Sequence, residues 1–222
     1  MRNVTPPTWR HRAEHYGRIA AFAVKHPRQA SELGRWWHDR HRPPIESRTP
    51  WWPYRAIDAV QRALPPNASV LEFGGGGSTL WLHDLGADVT CVEHDPDWLE
   101  RLQKALPADV RLVLREPQAT GSIESARPRG CYFDGYVAVA CDIPDGSLDL
   151  VVVDGRARVA CGMAAALKVK PGGLLLLDDS ARPDYAGLLE HLAGWTRTDY
   201  FGLKMGGGLP RQTSVWRRPE IG

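Results

Sequence analysis

From residue 69 onward, short apolar runs alternate with stretches whose apolar positions recur every three to four residues. A run of four to eight apolar residues predicts a buried strand, and the 3.6-residue recurrence predicts an amphipathic helix. The chain therefore reads as strand 69–73, helix 78–86, strand 88–93, helix 96–106 and strand 109–114. A loop rich in Gly, Pro and charge fills 116–147, followed by strand 148–153, helix 157–167, strand 173–178 and helix 183–194. Strand and helix in alternation predict a doubly wound, mostly parallel sheet with helices on both faces. Leu150 to Val153 and Leu174 to Leu177 are apolar without interruption, as central strands buried on both sides require. The end departs from alternation: 197–203 and 213–218 are both strand-like, with no helix between them, and predict a closing antiparallel hairpin.

Ahead of this core, Pro6 to Pro53 reads as two or three short helices broken by prolines. Tyr16, Ile19, Ala20, Phe22, Ala23 and Ala30 mark one helix, Ala30 to Arg40 a second, and Arg42-Pro43-Pro44 a stop. Helix 54–64 then leads into the first strand. The expected organisation is a helical extension over 1–54 and an α/β domain over 55–222.

The first strand ends in Glu72-Phe73 and breaks into Gly74-Gly75-Gly76-Gly77 before the helical pattern begins at Ser78-Thr79. Glycines in such a turn admit positive φ and let a ligand approach the main chain. The second strand ends in Glu93, 19 positions after Gly74, where a carboxylate can hold a ribose diol. The same spacing serves dinucleotide folds, but a G-x-G-x-x-G pattern opened by Gly74 and Gly76 would need its third glycine at Thr79. The pattern Glu72-x-Gly74-x-Gly76-x-Ser78-Thr79 with Val92-Glu93 resembles the first two motifs of class I S-adenosylmethionine-dependent methyltransferases, with Ser78 where many members carry a third glycine. The resemblance extends over about residues 55–218 and implies a seven-stranded sheet whose last strand runs against the others. It also implies S-adenosylmethionine as cofactor, with Glu93 on the ribose and the main chain from Gly74 through Gly75 to Gly76 against the homocysteine portion.

Composition narrows the class without naming a partner. With 43% hydrophobic and 24% charged residues in 222, the chain is an ordinary globular sequence. No apolar run is long enough to span a bilayer and the N-terminus lacks a signal-peptide stretch, so a cytoplasmic protein without a membrane partner is expected. Cys91, Cys131, Cys141 and Cys161 form no C-x-x-C pair and read as buried free thiols. Residues 1–55 hold eleven Lys or Arg against four acids, and five of the nine Trp: Trp9, Trp36, Trp37, Trp51 and Trp52. Such a segment can bind nucleic acid, cap a small-molecule site, or dock its indoles on the core while its arginines stay wet. A small-molecule acceptor is the expectation.

In open α/β sheets ligands bind at the carboxyl ends of the strands. That edge collects Glu72, Gly74, Gly76, Glu93, Glu116, Asp154, Asp178 and Asp179, so Glu116 and Asp154 join Glu72, Ser78, Thr79 and Glu93 as expected cofactor contacts. The acids after the fourth and fifth strands resemble those of metal-dependent small-molecule O-methyltransferases, including macrocin-type sugar enzymes. The resemblance implies Mg²⁺ on Asp154, Asp178 and Asp179; Arg156 or Arg158 is the alternative counter-charge. For a hydroxyl acceptor Asp154 is the first choice as base and His94 the second. His11 with His15 and His38 with His41 read as surface pairs. The 116–147 loop with Tyr132 and Tyr136, the extension and the Gly206-Gly207-Gly208 tip are expected to cover the acceptor. An aminopropyl transferase of the spermidine synthase type, and a nucleic-acid-binding protein or RNA methyltransferase using the extension, are the rival readings.

Overall fold

The computed structural model describes residues 9–125 and 129–220. The side chain of His11, one of the expected surface pair, lies outside the described residues. Seven strands form one sheet: β1 (Ser69–Phe73), β2 (Asp88–Glu93), β3 (Arg111–Leu114), β4 (Leu148–Val153), β5 (Val169–Leu177), β6 (Thr196–Gly202) and β7 (Arg211–Arg217). Their order is β3-β2-β1-β4-β5-β7-β6, with β7 antiparallel to both of its neighbours and the remaining pairings parallel. The doubly wound, mostly parallel α/β fold expected from the alternation is the one present. Leu150 to Val153 and Leu175 to Leu177 are fully buried, because each faces helices on both sides of the sheet.

Three local readings are corrected. Strand β5 starts at Val169, earlier than its apolar run suggests, because Pro171-Gly172-Gly173 is absorbed at a register irregularity opposite Leu148 and Leu150, with Gly172 at φ +75°. The 116–147 loop contains α7 (Asp134–Ala138) and a 3₁₀ turn (Val139–Asp142), too short for a periodic signal. The helix expected over 183–194 is a 3₁₀ turn (Pro183–Tyr185) followed by α9 (Ala186–His191). Of the four free thiols, Cys91 and Cys161 are buried, Cys131 is intermediate and Cys141 is exposed on the 3₁₀ turn, so the expectation of burial fails there.

The extension contributes α1 (Trp9–Lys25), α2 (Glu32–Asp39) and the short α3 (Pro44–Ser47), and α4 (Tyr54–Ala63) follows. Ile19, Phe22 and Trp36 are buried in one apolar cluster with Ile57, Leu174 and Val215. Burying a large apolar side chain stabilises by about 1.5–3 kcal/mol, so these three residues anchor the extension firmly. It also grips the tip of the β6–β7 hairpin. Tyr54 N donates to Leu203 O at 3.1 Å, Pro53 and Lys204 form a β-bridge, and Ser47 Oγ donates to Met205 Sδ at 3.1 Å. On the other side Arg48 pairs with Asp84 at the end of α5 (Gly77–Asp84). Among the described residues no helix is long and apolar enough to cross a membrane.

Candidate active site at the carboxyl edge of the sheet

The glycine turn after β1 is held from below, from the side and across the sheet. Gly74, at φ +91°, sits so close to Gly155 in the turn after β4 that a Cβ would lie 2.5 Å from the Gly155 Cα. Only glycine satisfies both the backbone angle and the approach. Beneath the turn, Gly76 N donates to Thr79 Oγ1 at 2.9 Å, and that hydroxyl donates to Glu72 Oε2 at 2.5 Å. Glu72 and Thr79 are completely buried, and burial pushes the Glu72 carboxyl up to about 8. Trp98, on α6 (Pro96–Ala105), donates its indole N–H to Gly75 O at 2.8 Å.

Glu93 closes the same turn from β2. Its Oε2 accepts from Gly75 N at 3.1 Å, and its Oε1 accepts from His94 N at 2.7 Å and Asp95 N at 3.0 Å. Burial opposes its ionisation, but the bonds from the His94 ring and from the two backbone N–H groups outweigh it and hold the carboxyl below the usual range. Oε1 is saturated and Oε2 keeps an open lone pair toward the cleft. His94 Nδ1 lies 2.6 Å from Glu93 Oε1, and His94 Nε2 accepts from Arg156 Nε at 3.1 Å. Because Nε2 already accepts from Arg156, its lone pair is occupied, which speaks against the expected role of His94 as second base.

Asp154 stands where β4 ends. Its Oδ1 accepts from Arg158 Nη2 at 2.8 Å and its Oδ2 from the Trp52 indole at 3.3 Å. Burial, followed by the neighbouring Asp178 charge, pushes its carboxyl up to about 7 against the opposing pull of Arg158, Lys204 and Trp52. Asp178 Oδ1 accepts from Thr213 Oγ1 at 2.6 Å, and its Oδ2 lies 3.7 Å from Lys204 Nζ and 4.0 Å from Arg158 Nη1. Asp179, in the left-handed region at φ +53°, pairs with Arg182 and lies 3.8 Å from Lys204 Nζ. Burial works against its charge, yet Lys204, Arg182 and Arg158 prevail and hold it below the usual range.

These pairings give the Mg²⁺ expectation no support. Each of the three acids already faces a cation, and among the described residues no group of three or more His, Cys, Asp and Glu is arranged to hold a metal ion. Arg158 and Lys204 occupy the charge space, the alternative the Asp-Gly-Arg-Ala-Arg segment offered for its own arginines. The other expected site residues divide by position. Glu116 is exposed and does not line the cleft; Glu72 and Thr79 lie under the turn as its support; Ser78, Gly74, Gly75, Gly76, Glu93 and Asp154 do line it.

The cleft itself has a volume of about 670 Å³. It is lined by the glycine turn with Glu93, His94, Asp95 and Trp98, and by Trp51, Asp154, Asp178, Asp179, Lys204 and Arg211. The extension and the hairpin tip therefore wall it, as two of the three expected covers. From the third, Tyr136 is buried under Gly155, and the segment Ser122 to Ser125 lines a second cavity of about 580 Å³ on the far side of the 155–158 turn. Sequence reasoning missed Trp52, Trp98 and Lys204. Trp98 carried a usable signal, five residues past the ribose-type acid in the next helix's first turn. Trp52 and Lys204 reach the site by folding from distant segments.

No protein-family model matches the chain, and no curated protein sequence does. Among solved structures, the chain is similar to precorrin-6y C5,15-methyltransferase from Geobacter metallireducens GS-15, at 17% identity and a TM-score of 0.51, covering 74% of this chain and 87% of that one. A protein from Corynebacterium glutamicum aligns at 14% identity and a TM-score of 0.52, covering 93% and 98%. A methyltransferase-like protein from Silicibacter pomeroyi DSS-3 aligns at 23% identity and a TM-score of 0.48, covering 82% and 92%. The first two likenesses show a shared fold.

Proposed function

We propose that the chain is an S-adenosylmethionine-dependent methyltransferase whose acceptor is a small molecule presenting a hydroxyl group. The observation that carries this reading is the meeting, in one cleft, of the Glu93-closed glycine turn with the Asp154 carboxylate at the end of β4. The turn fits the cofactor: a Cβ at Gly76 would meet nothing nearer than 4.0 Å, so the main chain there is open to a ligand, and Glu93 Oε2 keeps a lone pair for a ribose hydroxyl. Trp98 adds an aromatic wall beside them. Bound there, S-adenosylmethionine supplies an activated sulfonium methyl.

The chain's own residues have three tasks. Glu93 and the 74–76 main chain hold the donor, the Trp51 and Lys204 walls shield the cleft from water, and Asp154 takes the acceptor's proton. A base with a pKa near the working pH combines availability with driving force, which a carboxylate of ordinary acidity lacks. The paired state of Asp154, Asp178 and Asp179 speaks against the aminopropyl transferase reading, which needs acids left uncompensated for a polyamine. Titration calorimetry with S-adenosylhomocysteine tests the proposal. Binding that weakens in Glu93→Gln is expected; a protein that does not take up S-adenosylhomocysteine overturns it.

A further inference from the structure

Glu93 is gripped unevenly. Its Oε1 accepts from His94 N and Asp95 N, and the His94 ring adds Nδ1 at 2.6 Å, whereas Oε2 accepts from Gly75 N at 3.1 Å. A nitrogen and an oxygen come within 2.6 Å of each other with a proton between them, so the ring completes the hold on Oε1. The Glu93 side chain is 3% exposed and that of His94 23%, so little water competes for the contact.

Which ring nitrogen of His94 carries the proton is decided from another strand. A neutral imidazole has one N–H and one lone pair, and a guanidinium only donates. Arg156 Nε donates to His94 Nε2 at 3.1 Å, which places the lone pair on Nε2 and the proton on Nδ1, facing the carboxylate. Arg156 reaches His94 from the turn after β4, 62 positions along the chain. That turn is itself tied down: Cys161 Sγ donates to Arg156 O at 3.3 Å, and Gly155 packs against Gly74. Buried Phe133 and Tyr136 flank the imidazole, with ring centroids 5.9 and 6.3 Å from its own, and restrict its rotation.

We infer that Arg156 and His94 are a positioning pair for the ribose-binding carboxylate: Arg156 sets the tautomer of His94, and His94 holds Glu93 by Oε1 so that Oε2 faces the ribose. This rests on the methyl-transfer reading and adds what orients its ribose acid. With Arg156 lost, the imidazole can carry its proton on Nε2, and the Nδ1 lone pair then faces Oε1. Two acceptors repel at that distance, so the ring or the carboxylate turns away. Glu93 would remain in place along the chain and be misaligned for its ligand.

Nitrogen-15 NMR on histidine-labelled protein without ligand reads the tautomer, and His94→Asn identifies the signal by its loss. The parent protein is expected to carry the His94 proton on Nδ1, and Arg156→Met to shift population to the Nε2–H form. Calorimetry then compares S-adenosylhomocysteine with its 2′,3′-dideoxy analogue, which lacks the ribose hydroxyls. Arg156→Met and His94→Phe should each weaken S-adenosylhomocysteine by about tenfold, the scale of a lost hydrogen bond to a charged group, and barely alter the analogue. His94→Asn can turn an amide N–H to Oε1 and needs no partner to set it. It should keep most of the affinity, and Arg156→Met added to it should cost little more. A parent His94 protonated on Nε2, an Arg156→Met protein that binds S-adenosylhomocysteine as the parent does, or equal weakening of both ligands overturns the positioning pair. A parent protein that takes up no S-adenosylhomocysteine overturns the methyl-transfer reading instead, while the imidazole signal still decides the tautomer.

Discussion

The Trp52 indole donates to Asp154 Oδ2 at 3.3 Å, joining residues 102 positions apart. Trp52 is completely buried, so the extension reaches the acid at the end of β4 through a fixed side chain. The bond favours the ionised carboxylate and opposes the burial that pushes Asp154 up to about 7. As a base Asp154 acts only when ionised, so turnover should rise with pH to a plateau above about 7. Trp52→Phe removes the donor and keeps most of the ring. The midpoint should then move upward by about half to one unit, measured as a pH–rate profile. A profile that stays in place would separate Trp52 from the chemistry.

Gly155 carries the second close approach. A Cβ there would lie 2.1 Å from the Tyr136 hydroxyl and 2.9 Å from Gly74 N, so Gly155→Ala pushes on both turns at once. The cost should be about 1–3 kcal/mol of stability, with weaker S-adenosylhomocysteine binding. Adding Tyr136→Phe removes the buried hydroxyl that the new Cβ would meet and should recover part of that loss in thermal denaturation.

The strands were legible because each central one is apolar on both faces, and the glycine turn because glycine alone meets the angle and the approach at Gly74. The place of Glu93 beside that turn was legible by spacing. What stayed hidden came from contacts across the fold. Nothing near Trp52 announces Asp154, and Lys204 reaches Asp178 and Asp179 only because the hairpin tip is pinned by Pro53 and Tyr54. The Pro171-Gly172-Gly173 break concealed half of β5, since a breaker and a bulge look alike in sequence. The three acids suggested a metal because Lys204, which faces two of them, lies far outside the motif.

Glu72 should make stability fall with rising pH. Burial pushes its carboxyl from 4.5 up to about 8, so the folded chain favours the protonated form more than the unfolded chain does. Its contribution is complete below about 4.5 and is lost as pH rises through about 8, a change on the order of 5 kcal/mol. Glu72→Gln keeps an acceptor for Thr79 and should flatten that fall. Melting temperatures at pH 5 and pH 9 check it: an unaltered difference between them would show Glu72 ionised at both.

Glu93 should be sensitive even to its amide. Its Oε1 accepts two backbone N–H groups and its Oε2 a third, so the NH₂ of Glu93→Gln must face a donor or surrender the position open to the ribose. Affinity for S-adenosylhomocysteine should drop by about 1.5–3 kcal/mol. Unchanged calorimetric affinity would remove Glu93 from the cofactor site.

Turnover should be indifferent to chelation, and the reason is electrostatic. A divalent cation needs ionised oxygens with few competing charges, yet Asp154 is bonded to Arg158, Asp178 faces Arg158 and Lys204, and Asp179 faces Arg182 and Lys204. To bind among them a metal would have to displace fixed guanidinium and ammonium groups. EDTA should therefore leave the rate unchanged, and added Mg²⁺ should not restore Asp154→Asn, whose loss as a base costs about 10²–10⁴ in rate. The variant keeps the side chain's shape and an acceptor for Arg158, so its affinity for S-adenosylhomocysteine reports whether the cleft survives. Full binding with lost turnover assigns Asp154 to the proton. Inhibition of the parent protein by EDTA, reversed by Mg²⁺, would mean that Lys204 and Arg158 yield to a metal during turnover. Near-normal turnover of Asp154→Asn would point to an acceptor that needs no deprotonation.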